Sequence, residues 1–115
     1  MTGGDHIRDR VLMDVRRERL RQDTLKAEGR FQYTCADNGL SLSEKLACLT
    51  EELGEVAQEV LTQSGRRLAR DTTGSRENLR KELVQVAAVA VAWIEGMDSY
   101  YYQGTGGAHD PDRQP

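Results

Sequence analysis

The chain has 115 residues, 37% hydrophobic and 30% charged, with a net charge of -3. That is enough for one domain, too acidic for a general phosphate-backbone binder, and no apolar run reaches the ~20 residues that span a bilayer. Cys35 and Cys48 lack CxxC spacing and evident metal partners, so they read as reduced thiols and not as a disulfide framework. The polar start, MTGGDHIRDR, has no apolar stretch of the secretory kind, and a cytoplasmic protein without membrane attachment is the expectation.

In chain order, residues 1–6 are expected to be disordered and residues 7–98 to form one helical domain. From about Ile7 to Gly29 the sequence reads as a long charged helix with a thin apolar stripe of Val11, Val15, Leu20 and Leu25. RFQYTCADNGLS (30–41) breaks the pattern and reads as a loop. SLSE at 41–44 fits a capping box and starts the second helix, whose Leu46, Leu49, Leu53, Val56 and Val60 recur three and four apart as a bundle seam. GRRLARDTTGS (65–75) is a basic connection, and Ser75 is an N-cap candidate for the third helix.

That helix carries its own seam of Leu79, Leu83, Val86, Ala90, Trp93 and Met97, with apolar flanks as well. A helix apolar nearly all round must be covered on several sides. One charged helix and one single-seam helix cannot do this alone, so homo-oligomerisation is expected. Residues 99–115 read as a flexible tail without a core of their own.

Within the least polar stretch, KELVQVAAVAVAWI (81–94), only Glu82 and Gln85 interrupt after the first lysine. They have counterparts on the second helix. At an offset of thirty positions LTEELGEVA (49–57) lies over LRKELVQVA (79–87), so that Glu52 matches Glu82 and Glu55 matches Gln85. At about 100° per residue each glutamate lies ~80° to one side of its seam, with its partner one turn along. If the two helices are antiparallel neighbours, both pairs converge. Carboxylates so placed need compensation. Two compensators fit: a hard divalent cation, since the ligands are all oxygen, or a buried arginine.

The pattern EExxE followed by ExxD on the next helix belongs to the all-α nucleotide pyrophosphohydrolases. Residues 10–97, with EELGE at 51–55 and ELVQ at 82–85, resemble the small phage and actinobacterial members of this MazG-like family. The resemblance implies an all-α helical bundle of the NTP pyrophosphatase type, completed as a homodimer or dimer of dimers. It also implies hydrolysis of (d)NTP to (d)NMP and pyrophosphate with Mg²⁺ or Mn²⁺.

Carried over by position, Glu52, Glu55, Glu82 and Gln85 match metal ligands, and Glu51 is placed to position the water. Gln85 stands where the family has Asp: its carbonyl can coordinate, but it brings no charge. Glu59, one turn beyond Glu55, is a partial substitute. Lys26, Arg66, Arg80 and Lys81 are the expected phosphate contacts, within a wider supply that includes Arg19 and Arg21, and Phe31 or Tyr33 can stack on the base. The alternative is an oligomeric nucleotide- or protein-binding module whose catalysis lapsed with Gln85.

Overall fold

The structure, a computed structural model, describes residues 3–63 and 76–104, with side chains as far as Ser99. Among these residues there are three helices and no strands: α1 (Gly3–Ala27), α2 (Leu42–Gln63) and α3 (Arg76–Gly104). No described helix is long and apolar enough to cross a membrane. The connection 64–75, with Arg66 and the Ser75 cap candidate, lies outside the described residues.

The helix ends follow from local chemistry. α1 starts at Gly3, upstream of the expected Ile7, with Asp5 in its first turn, where a carboxylate favours the positive end of the helix dipole. It stops in a Schellman arrangement. Gly29 takes a positive φ of 78°, Gly29 N–H donates to the Lys26 carbonyl at 3.0 Å, and Arg30 N–H donates to the Leu25 carbonyl at 2.8 Å. The capping box of α2 is formed as expected: Glu44 N–H donates to Ser41 Oγ at 3.1 Å and Ser41 N–H to Glu44 Oε1 at 3.0 Å. α3 continues to Gly104, past the expected start of the tail at residue 99.

α3 is the central helix, packing against α1 and α2, which do not pack against each other. The contact faces coincide only in part with the leucine seams. On α3 the most deeply buried positions are Ala88, Ala92 and Gly96, four residues apart, a ridge small enough for neighbouring backbone to come close. Ala92 lies seven residues beyond Gln85, hence within ~20° of it around the helix. The packed face is therefore the Glu82–Gln85 side.

The expected seams face outward only in part: Leu49, Val56, Leu79, Val86, Ala90 and Trp93 are half-buried, and the remaining members are exposed. Leu46 and Leu53 are each 56% exposed, Leu83 50% and Met97 53%. On α1 the inward stripe is Val15, Arg19, Gln22 and Leu25, while Leu20 is exposed. Spacings of three and four locate an apolar stripe but do not say what covers it.

Candidate metal centre and adjoining cleft

α2 and α3 run antiparallel, with Glu59 and Glu55 acting on Glu82 near one end and Cys48 and Glu52 beside Val89 further along. This register brings one carboxylate oxygen each of Glu52, Glu55 and Glu82 within 4.8 Å of one another. All three side chains are half-buried. Glu55 stands between the other two, in side-chain hydrogen-bonding reach of both.

Burial, then the charges of Glu55 and Glu82, push the Glu52 carboxyl up to about 7. Burial and then Glu55 raise Glu82, with Lys81 opposing. Glu52 Oε2, Glu82 Oε2 and Glu59 Oε2 are sealed from solvent without any hydrogen-bond partner. Glu59 itself is buried. Among the described residues none of these glutamates forms an ion pair with lysine or arginine, so no described arginine acts as the buried compensator.

Orphaned anionic oxygens cost several kcal/mol unless a partner meets them. An all-oxygen, strongly acidic donor set fits a hard divalent cation such as Mg²⁺ or Mn²⁺, and not a metal that prefers nitrogen and sulfur. Gln85, half-buried one turn from Glu82, shares that side of α3.

The other expected site residues are distributed differently. Glu51 is exposed and, with Glu52, forms part of a cleft wall. Lys26 is held in an ion pair with Asp37. Arg80 donates to Asp14 Oδ2 at 2.7 Å, tying α3 to α1, and this guanidinium holds the Asp14 carboxyl below the usual range. Lys81 is exposed, and Arg66 lies outside the described residues. Arg21 pairs with Glu18 at 3.0 Å.

Arg19 is withdrawn from the phosphate-contact group. Only 5% exposed, it donates Nε and Nη2 to the two oxygens of Glu95 (2.7 and 3.1 Å), both terminal nitrogens to Asp23 (3.0 and 3.2 Å), and Nη1 to Gln22 Oε1 at 3.2 Å. All five of its N–H donors are thereby used.

Next to Glu52 a cleft opens between α1, α2, α3 and the α1–α2 loop, lined by Gln22, Phe31, Tyr33, Cys35, Cys48 and Val89. The loop forming its wall is pinned locally. Thr34 N–H donates to Asp37 Oδ2 at 3.1 Å and Ala36 N–H to Thr34 Oγ1 at 3.2 Å. It is also pinned against α3, where a Cβ on Gly96 would lie 2.7 Å from the Ala36 carbonyl oxygen, so only glycine permits this approach. Burial, reinforced by Cys48, pushes the Cys35 thiol up to about 11. Both cysteines are free, in accord with the expected reduced state.

Comparison with protein-family models, curated proteins and solved structures returned no match. The site is therefore read from its own geometry. Sequence reasoning missed Gln22, Gly96 and the structural use of Arg19. A signal was present for two of them: Val15, Arg19 and Gln22 follow one another at spacings of four and three, so two polar residues occupy stripe positions where burial demands partners.

Proposed function

We propose that the chain is a metal-dependent nucleoside triphosphate pyrophosphohydrolase, converting (d)NTP to (d)NMP and pyrophosphate. The observation that carries this reading is the convergence of Glu52, Glu55 and Glu82, with carboxylate oxygens that no group among the described residues meets, beside a cleft with an aromatic wall. In this reading Glu52, Glu55 and Glu82 hold Mg²⁺ or Mn²⁺, with the Gln85 carbonyl and Glu59 at the margin. A bound divalent ion neutralises charge on the triphosphate and lowers the pKa of attacking water.

Glu51, exposed at the edge of the cleft, is placed to orient that water. Phe31 and Tyr33 offer ring faces to the base. Lys81 is the exposed cation next to Glu82, while Lys26 and Arg80 reach phosphate only by exchanging Asp37 and Asp14. The exposed seam residues Leu46, Leu53, Val60, Leu83 and Met97 support assembly as a homodimer or dimer of dimers. The described residues bury only Val15, Leu25, Cys35, Ala88 and Ala92 as apolar core, with no large side chain fully enclosed, which is thin for a stable single domain.

The test is pyrophosphate release from a panel of (d)NTPs with Mg²⁺ or Mn²⁺. Turnover of at least one supports the reading. Nucleotide binding without turnover favours the non-catalytic module, for which Gln85 in place of an acidic ligand is the specific argument. Gln85→Asp is expected to tighten Mn²⁺ binding about tenfold by adding a charged ligand. Unchanged affinity would remove Gln85 from the metal's surroundings.

A further inference from the structure

Cys35 and Cys48 belong to different elements, the α1–α2 loop and α2, yet the fold brings them together. Both are free thiols lining the cleft, and their sulfurs stand within side-chain hydrogen-bonding reach of each other. Tyr33, on the same wall, reaches Cys48 as well. The two thiols have unequal settings. Cys35 is buried and Cys48 half-buried. Burial makes the Cys35 thiol hard to ionise, and the nearby charges of Lys45 and Arg19, two side chains themselves buried, work against that penalty. The carriers are fixed on both sides. Hydrogen bonds at Thr34 and Ala36 bracket Cys35, the Ala36 carbonyl rests against Gly96, and Cys48 sits inside α2, one turn before Glu52. Neither thiol has a part in the acidic cluster.

We propose that Cys35 and Cys48 form a site of reversible oxidation, at which hydrogen peroxide converts the thiol pair to a disulfide that fastens the cleft wall to α2. The proposal stands apart from hydrolysis and needs no nucleotide. Cys48, the more exposed of the two, is the first target. It loses its proton, and its sulfur attacks one peroxide oxygen. The O–O bond breaks, Cys48 becomes a sulfenic acid, and the departing hydroxide takes up the proton as water. The Cys35 sulfur then attacks the sulfenic sulfur. The S–S bond forms, the S–O bond breaks, and the hydroxyl leaves with the Cys35 proton as a second water. Two thiols give up two electrons and two protons, and one peroxide becomes two waters. A disulfide holds its sulfurs at about 2.05 Å, nearer than hydrogen-bonded thiols stand. The wall carrying Phe31 and Tyr33 is thereby drawn onto α2, one turn from Glu52.

The test uses the full wild-type chain, reduced and without added metal. After treatment with hydrogen peroxide, the expected product is a chain lighter by the mass of two hydrogens, with the Cys35 and Cys48 peptides joined. Dithiothreitol should restore both thiols. Equilibration in glutathione buffers then asks whether the fold favours the bond. The disulfide should be at least roughly tenfold more favourable in the folded chain than in the chain unfolded by urea. By the same linkage it should raise the melting midpoint by about 5 °C. In Cys35→Ser, oxidation should stop at a Cys48 sulfenic acid that dimedone traps, whereas Cys48→Ser should leave Cys35 unmodified at the same peroxide dose. A disulfide no more favourable in the folded chain than in urea overturns the proposal. So do disulfides that form only between chains, or Cys48 passing to sulfinic acid while Cys35 stays free.

Discussion

Against α1, helix α3 meets a buried arginine whose five N–H groups all reach acceptors. Against α2 it meets glutamates, two of which, Glu52 and Glu59, have an oxygen that reaches no donor among the described residues. Both contacts put charge into a part of the molecule that periodicity reserves for apolar side chains. The first is closed, because all five N–H groups of the arginine are matched. The second is open, because carboxyl groups are gathered and three of their oxygens meet no donor among the described residues. A buried charge that is fully paired is a fastening between helices. One whose oxygens meet no donor is a candidate binding site.

The comparison can be broken most sharply at Glu82. Glu82→Gln is expected to lower pyrophosphate release by at least about a hundredfold, while melting in the absence of metal stays unchanged or rises, because a repelling carboxylate has been removed. Retained turnover, measured under identical metal concentration, would remove Glu82 from the site. On the closed side, Arg19→Met should destabilise the fold by about 1–3 kcal/mol in urea denaturation. The lower part of the usual range for buried pairs applies, since Glu95 and Asp23 are 46% and 54% exposed and rehydrate when the guanidinium is lost. Metal binding per folded molecule should persist. A smaller effect is expected at Gly96→Ala, about 1–2 kcal/mol, because the new methyl forces the Ala36 backbone off α3. The same substitution should loosen the cleft wall and weaken nucleoside binding without changing Mn²⁺ affinity.

Much of this arrangement was legible before any coordinates. The Ser41–Glu44 capping box set the start of α2, and the thirty-residue correspondence between α2 and α3 placed Glu52, Glu55 and Glu82 beside their seams. An antiparallel pairing then had to bring them together. The faces were harder. Leucine spacing marks α3 at Leu79, Leu83 and Met97, yet within one chain the helix packs through Ala88, Ala92 and Gly96, whose small size is useful only where backbone must come near. On α1, Leu20 drew attention as the apolar residue, but a shift of one position turns a helix by about 100°. The buried position is Arg19, whose charge is admissible only because Glu95, distant in sequence, meets it. The cleft depends on loop hydrogen bonds and the close approach at Gly96, neither of which hydrophobic patterning encodes.

The open site also differs from the closed one in its response to pH. Glu52 is raised from the ordinary carboxylate value of 4.5 to about 7, so between those values the folded state holds a proton that the unfolded chain releases. The stability this contributes is complete below the ordinary value and fades as pH rises through about 7. A divalent cation must displace the same proton. The decisive measurement is therefore calorimetric titration of the wild-type chain and Glu52→Gln with Mn²⁺ near pH 6.5, in two buffers of different ionisation enthalpy. Saturable binding with buffer-dependent proton release in the wild type, absent from Glu52→Gln, is expected. No binding by the wild type, or identical binding by the variant, would contradict a metal centre built from these carboxylates.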